Sequence, residues 1–333
     1  MERLFYPIGP HPAESVRSYI LRGAAANRVS PTELTRKIFR DPKRMSIGCA
    51  ALLAEVLRSD PINVASLDGY WRVGNCRRGE FRHNDTWLNH AEIMPRARLA
   101  VCPICLIEAP VLRFAWEFGL AAACRKHAAS LIDSCPTCGR RIGASRRSIV
   151  TCICGKDFRK VQPCYALRSA HTISVLLEST GPQCKLPALG PTSQAVNNLL
   201  LADRSSALRT LRFLALLPFD ESSAAIRARR GGVEINVSQS ARRAQVMMEM
   251  LDAWPESFAS RISAFAKCKA ATSSGEASRM LRGVRDGVAW ATERNDPLGV
   301  FALFQHCARS ITRELRMDGA LRGYVKQLEL DLD

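Results

Sequence analysis

Residues 102–105 read Cys-Pro-Ile-Cys and 124–127 read Cys-Arg-Lys-His; further on, 135–139 read Cys-Pro-Thr-Cys-Gly and 152–155 read Cys-Ile-Cys-Gly. Eighteen residues separate Cys105 from Cys124, and 13 separate Cys138 from Cys152. A Cys-x-x-Cys turn presents two thiolates to one metal ion, and a second pair roughly 12–20 residues on completes the tetrahedron that Zn²⁺ accepts. The spacing assigns two sets: Cys102, Cys105, Cys124 and His127, then Cys135, Cys138, Cys152 and Cys154. Each set fills all four positions, which describes a closed structural site with no open coordination place. Two Zn²⁺ per chain are expected. Gly139 and Gly155 directly follow ligand cysteines, where the backbone must turn tightly. Cys164 is close enough in sequence to replace one ligand of the second set. The other five cysteines, at 49, 76, 184, 268 and 307, read as small buried apolar residues.

Two other readings of these cysteines fail. A thioredoxin-like redox pair needs a βαβ context, which the surrounding sequence lacks. His90-Ala91-Glu92 ahead of Cys102-x-x-Cys105 has the outline of a zinc deaminase motif. Here Val101 stands where proline belongs, only nine residues separate Glu92 from Cys102, and Cys124 and His127 would have no metal.

Upstream, Pro7, Pro10 and Pro12 form an extended lead-in. A helix is expected from Ala13 to about Asn27, with Val16, Ile20 and Leu21 on one face. Ser30-Pro31-Thr32-Glu33 is a strong start signal: serine caps, proline fits the first helical position, and glutamate can reach back. Leu34, Ile38 and Phe39 supply that second helix's apolar side, while Arg36, Lys37 and Arg40 face elsewhere. Two helices joined by about three residues make either a helix-turn-helix or a plain αα-hairpin. A further helix at about Ser46–Arg58, then Asp60-Pro61 and Val64–Leu67, gives a weaker second pair. Downstream, segments at about 194–217, 240–253, 256–270, 276–294 and 297–316 read as helices punctuated by Pro218, Gly231-Gly232, Pro255, Gly275 and Pro297. Met280, Val284 and Val288, and likewise Cys307, Ile311 and Leu315, repeat every four residues and read as core stripes. The expected fold is mainly α: an N-terminal helix-turn-helix domain (1–94), a central tandem zinc-ribbon or zinc-knuckle module (95–165) and a C-terminal all-α helical domain (166–333).

The chain has 333 residues, 47% of them apolar and 24% charged, an ordinary globular composition. No apolar run approaches the roughly 18 residues a membrane span requires, and the first residues lack a secretory signal, so a cytoplasmic protein without a membrane partner is expected. The net charge is +17, and residues 1–165 hold 26 basic against 14 acidic side chains. That asymmetry points to an acidic partner, most often nucleic acid. The densest cluster is Arg140, Arg141, Arg146, Arg147, Lys156, Arg159 and Lys160, opposed only by Asp157. Arg36, Lys37 and Arg40 form the other candidate contact. No Gly-x-x-x-x-Gly-Lys-Ser/Thr loop, Gly-x-Ser-x-Gly elbow or acidic cluster is present, so no enzyme activity is expected. On residues alone the chain reads as a zinc-ribbon and helix-turn-helix protein, for which a DNA-binding transcription regulator is one explanation.

A family supplies another. Pro10-His11-Pro12-Ala13-Glu14-Ser15, Ser18-Tyr19, Arg22 and Asn27 form one set of matches. Val101-Cys102-Pro103-Ile104-Cys105-Leu106, Arg113, Trp116, Cys124, His127, Leu131, Cys135-Pro136 and Cys138-Gly139 form a second, more specific one. Together they resemble the TniQ/TnsD family of transposon target-selection proteins. The resemblance covers residues 7–27 and 100–155. It departs at Tyr19 and Gly23, where the family favours tryptophan and a longer residue, and at the Cys-x-Cys that closes the second set. It implies a non-catalytic adaptor that recognises a target through a CRISPR RNA-guided effector complex or by binding target DNA. Such an adaptor recruits an AAA+ ATPase regulator and through it the transposase. Short members resemble the CRISPR-docking or resolution-site type and often act as homodimers, in the bacterial cytoplasm at the nucleoid.

Overall fold

The computed structural model describes residues 4–12, 14–39, 49–71, 80–83, 86–96, 98–143, 146–179, 193–217, 235–272 and 274–317. The chain is mainly helical and divides into two compact units, Met1–Glu178 with Glu234–Arg242, and Ser179–Val233 with Arg243–Asp333.

The first unit opens with α1 (Val16–Ala26) and α2 (Pro31–Phe39), joined by a short turn in which Arg28 takes a positive φ of 56°. Ser15 caps α1 by accepting from the Ser18 amide, and Ser30 caps α2 by accepting from the Glu33 amide, as the start signal implies. α3 (Cys49–Leu57) and α4 (Pro61–Ala65) follow; Asp60 caps α4 at the Ile62 amide with Pro61 at its first position. Tyr19, Leu34, Leu53, Leu57 and Val64 form the shared core of the four helices. Two of the three departures from the resembled pattern, Gly23 and Tyr19, have local reasons. A Cβ on Gly23 would sit 2.6 Å from a Leu57 methyl, so glycine lets α1 approach α3. The Tyr19 hydroxyl donates to the Ile8 carbonyl at 2.7 Å and ties down the proline-rich lead-in.

A small antiparallel sheet, β1 (Gly69–Trp71), β2 (Glu80–His83) and β3 (Thr86–Asn89), pairs Tyr70 with Phe81 and Phe81 with Leu88. The sequence reading missed it, because strands of three and four residues are too short to display a period of two. Phe81 stacks on Phe114 at 5.9 Å, and His83 meets the edges of Phe114 and Phe118, so the sheet covers the start of the cysteine-rich stretch. Next come α5 (His90–Ile93) and α6 (Pro103–Glu108), then largely irregular chain to α7 (Arg168–Ser179), a helix the sequence reading did not single out. Asn89 and Glu92 cap α5 reciprocally, which occupies the carboxylate the deaminase motif would need. Arg96 is buried and donates to the carbonyls of Phe118, Ala121 and Ile235 and to the Ser240 hydroxyl, while Asp133 accepts from the Val237 amide. These bonds bring 235–242 onto the cysteine-rich stretch and satisfy a cation that burial would otherwise penalise.

The second unit holds α8 (Gln194–Leu201), α9 (Arg204–Leu216), most of α10 (Val237–Asp252), α11 (Glu256–Thr272), α12 (Ser274–Thr292) and α13 (Val300–Met317). The single segment expected at 194–217 is two helices, because Asp203 caps a new one at the Ser206 amide. α12 packs on α9, α11 and α13. Met280, Val284 and Val288 are buried, as are Cys307 and Ile311, so these stripes are core; Leu315 lies outside the described side chains. Arg209 and Arg212 both lie over the Trp290 ring, at 5.1 and 5.2 Å. Among the described residues no helix is long and apolar enough to cross a membrane.

The lead-in motif acts as one polar cluster. Arg22 grips the buried Glu14 carboxylate through Nε and Nη2 and also donates to the Gly9 carbonyl. Ser18 Oγ donates to Glu14 and accepts from the Leu112 amide, 94 residues away. Replacing Arg22 by Ala leaves a buried carboxylate without its cation and is expected to cost about 3 kcal/mol, read as a shift in the denaturant midpoint of the full chain.

Candidate metal centres and basic surface

The local backbone repeats one design three times. At 124–129 the Cys124 amide donates to the Ala129 carbonyl and the Ala128 amide to the Cys124 carbonyl. At 135–140 the Cys135 amide donates to Arg140 and the Gly139 amide to Cys135, with the same offsets. At 152–156 the Cys152 amide donates to Lys156 and the Gly155 amide to Cys152. Antiparallel bridges Ala123–Ser130, Ser134–Arg141 and Thr151–Asp157 close each loop at its base. Each loop turns through a positive φ, 48° at Ala128, 67° at Gly139 and 87° at Gly155. These are three knuckles, and only the last two have glycine at the turn.

The first centre sets one knuckle against the start of α6. Cys102 precedes the helix, with Pro103 at its first position, and Cys105 lies one turn in. Cys105 Sγ lies 3.5 Å from Cys124 Sγ, and His127 Nδ1 lies 3.6, 3.2 and 3.6 Å from the sulfurs of Cys102, Cys105 and Cys124. The second centre joins two knuckles, with 3.6 Å between the sulfurs of Cys135 and Cys154 and 3.7 Å between those of Cys138 and Cys152. In both centres all four ligand atoms lie within 4.8 Å of one another. Metal–sulfur bonds of about 2.3 Å in a tetrahedron require sulfur–sulfur edges near 3.8 Å. The observed separations meet that edge and are far too long for disulfide bonds. The two sets assigned from sequence are the sets the fold assembles, and both fit a metal ion. Cys164 is in neither: it is exposed, and its carbonyl accepts from the Ser130 amide.

Within each site one thiol is pulled toward the thiolate and another is pushed the other way, Cys138 being the raised one of the second set. Contacts with the Cys105 and Cys124 thiols, then amide donation from Cys105 and Ile104, pull the Cys102 thiol down to about 3, while contacts with Cys102 and Cys124, then burial, push Cys105 up. Burial pushes the Cys135 thiol up, but amide donation from Cys138 and Thr137 and the nearby thiols outweigh it and bring it to about 6. Amide hydrogen bonds to sulfur stabilise the charged form and prepare the ligand.

Glu108, which sequence reasoning missed, completes the first centre from outside. With His127 Nδ1 facing the sulfurs, Nε2 lies 3.1 Å from Glu108 Oε1, and Lys126 Nζ lies 2.7 Å from the same oxygen. A ligand histidine that donates its other N–H to a carboxylate is fixed in tautomer and ring orientation. The pairing with Lys126 and then His127 holds the Glu108 carboxyl below its ordinary range. Glu108 sits three residues after Cys105 at the end of α6, and no sequence pattern marks it as the residue beside His127.

The basic residues divide. Arg140, Arg141, Arg147, Arg159 and Lys160 are exposed around the second centre, and Lys156 is half-buried. Arg140 and Lys156 occupy equivalent places, one after each knuckle glycine. Arg159 is paired with Asp157 by two-pronged bonds, the shortest 2.7 Å, and this pairing takes the Asp157 carboxyl down to about 2. Arg146 is not on this surface: it is 7% exposed and lies over the Phe158 ring. Charge counting cannot separate a buried arginine from its exposed neighbours. On α2, Arg36 is exposed, whereas Arg40 and the Lys37 side chain lie outside the described residues. Of the other cysteines, Cys307 is buried, Cys49 is half-buried and Cys268 is exposed, against the buried expectation for the last two; Cys76 and Cys184 lie outside the described residues.

Fold and site together define a mainly helical protein with two closed Cys/His clusters, each able to hold a metal ion. Residues 6–131 match the TniQ family model. Over that span the chain is similar to the TniQ family. The matched span takes in the Glu14–Arg22 cluster and all four ligands of the first centre, and it ends before Cys135. No curated protein matches the chain.

Two predictions follow from the knuckle geometry and its outer ligand partner. Gly139→Ala and Gly155→Ala force Cβ into a left-handed backbone and are each expected to cost about 1 kcal/mol, whereas Ala128→Gly is neutral or slightly stabilising; denaturant midpoints of metal-loaded protein measure all three. Glu108→Ala is expected to weaken metal retention in the first centre about tenfold or more, read by chelator competition, and to leave the second centre unchanged.

Proposed function

We propose that the protein is a non-catalytic transposition adaptor that links a recognised target to an AAA+ ATPase regulator and through it to the transposase. The observation that carries this reading is the match to the TniQ family over residues 6–131, framed on the first four-ligand cluster. Both centres hold Zn²⁺, since cysteine and histidine in closed tetrahedral sets suit that ion. The zinc supplies no reaction here; it fixes the loops that carry the surface.

In this reading residues 1–94 form a helix-turn-helix domain through α1 and α2, 95–165 a tandem zinc module, and 166–333 a helical domain suited to a second copy of the chain or a protein partner. The target is a CRISPR RNA-guided effector complex or target DNA, met in the bacterial cytoplasm at the nucleoid. Arg140, Arg141, Arg147, Lys156 and Lys160 supply the phosphate contacts, with Arg36, Lys37 and Arg40 as the other contact. Arginine matches phosphate geometry in two-pronged fashion, and closed zinc knuckles hold these side chains on a rigid base.

Reconstituted transposition with its cognate regulator and transposase tests the proposal. Targeted insertion is expected with the protein and to fall to background without it; equal targeting in its absence would overturn the adaptor and favour a transcription regulator. Duplex DNA binding through four or five phosphates is expected to weaken by roughly two to three orders of magnitude between about 50 and 200 mM salt. Arg140→Glu with Arg147→Glu is expected to abolish binding and insertion while the circular dichroism spectrum is unchanged.

A further inference from the structure

Arg146 is a charged side chain in an unusual position. It is 7% exposed, and none of its three guanidinium nitrogens has a hydrogen-bond partner. Its carbon Cζ lies 5.4 Å from the centroid of Phe158, itself fully buried. The Phe158 amide donates to the Val150 carbonyl, just outside the bridge that closes the 152–156 knuckle. A guanidinium sealed from water and given no acceptors is strongly penalised, and one ring face offsets only part of that penalty. A buried cation of this kind persists where an opposite charge lies close by.

Phe158 directly follows Asp157, whose bridge to Thr151 closes the knuckle that carries Cys152 and Cys154, so the second centre is the candidate for that charge. A divalent ion with four thiolates has a net charge of −2, whereas the first centre, with a neutral imidazole as fourth ligand, has −1. We propose that Arg146 is the built-in counter-ion of the second metal centre, so that its buried guanidinium offsets the four-thiolate charge and sets how firmly that centre holds its metal. Burial pulls the Arg146 guanidinium down to about 10, and the Cys152 side chain acts against this shift. The centres thus differ in what surrounds them. The first has Glu108 outside its histidine, a group that orients a ligand; the second has a cation that neutralises the cluster. The assignment also explains why an arginine in the densest basic stretch of the chain turns inward.

This inference rests on a metal occupying the second centre, and its test reads that occupancy first. Metal content and peptide-resolved alkylation of the cysteines in EDTA are measured for the full chain, for R146M and for R146K. Methionine keeps an apolar stem over Phe158 without the charge, and lysine keeps the charge without the planar fork. In R146M, cysteines 135, 138, 152 and 154 are expected to be alkylated roughly tenfold faster than in the parent, the scale of effect that groups around a metal's ligands exert. Cysteines 102, 105 and 124 should be labelled at the parent rate, and R146K should fall closer to the parent than R146M does. The metal-free R146M chain should be at least as stable as the metal-free parent, because a buried unpaired charge has gone. A merely structural arginine would instead lower metal-free stability and loosen both centres together, which would overturn the proposal. So would R146K and R146M releasing metal equally fast. A parent chain with no metal at the second centre would overturn the metal reading itself, and the counter-ion with it.

Discussion

Four ligand atoms gathered within 4.8 Å of one another are the constraint on which the middle of this chain depends. Two thiolates 3.6 Å apart repel by about 4–5 kcal/mol at an effective dielectric of 20. Such a cluster persists only if protons or a cation neutralise it. Neighbouring thiols pull Cys102, and amide hydrogen bonds pull Cys135, toward the thiolate form, so a divalent cation is the natural partner. Three knuckles, each closed by a single bridge, then gain the rigidity that their short backbone ladders cannot supply.

That rigidity reaches the N-terminal helices. The Ser15 amide donates to the Leu112 carbonyl, the Leu112 amide donates to Ser18, and Arg17 pairs with Glu117 at 3.3 Å. The Val16 amide donates to the Asp68 carbonyl beside the small sheet. Helix α1 is therefore bonded directly to the chain between Cys105 and Cys124. This is a physical reason for the family match to run unbroken over residues 6–131: the lead-in motif and the first centre are parts of a single hydrogen-bonded body. Glu14, Ser18 and Arg22 are the residues through which the two ends meet.

The eight ligands were legible in the sequence because metal chemistry restricts both residue type and spacing, and because knuckles are local. The capped start of α2 was legible for the same reason: Ser30 and Pro31 act within one turn. What was not legible depended on distant partners. Glu108 acquires its role only when folding brings His127 beside it. Arg146 looks like its neighbours until Phe158 covers it. The sheet from Gly69 to Asn89 left no alternation to read, and the break at Asp203 was hidden inside an otherwise continuous apolar pattern. Leu34, Met280 and Val284 were placed in the core by periodicity alone, which is reliable for longer helices whose stripes face a neighbour.

The adaptor role proposed for this chain calls for no bond chemistry, so its physical requirement is to present fixed surfaces at fixed spacing. The metal centres are the element of this chain that meets that requirement, and hydrogen exchange of the 333-residue chain with and without bound metal tests the claim directly. On metal removal, amides at 124–129, 135–140 and 152–156 should lose their protection, while those of α11 to α13 keep theirs. Native protection of the three knuckles in metal-free protein would contradict the account.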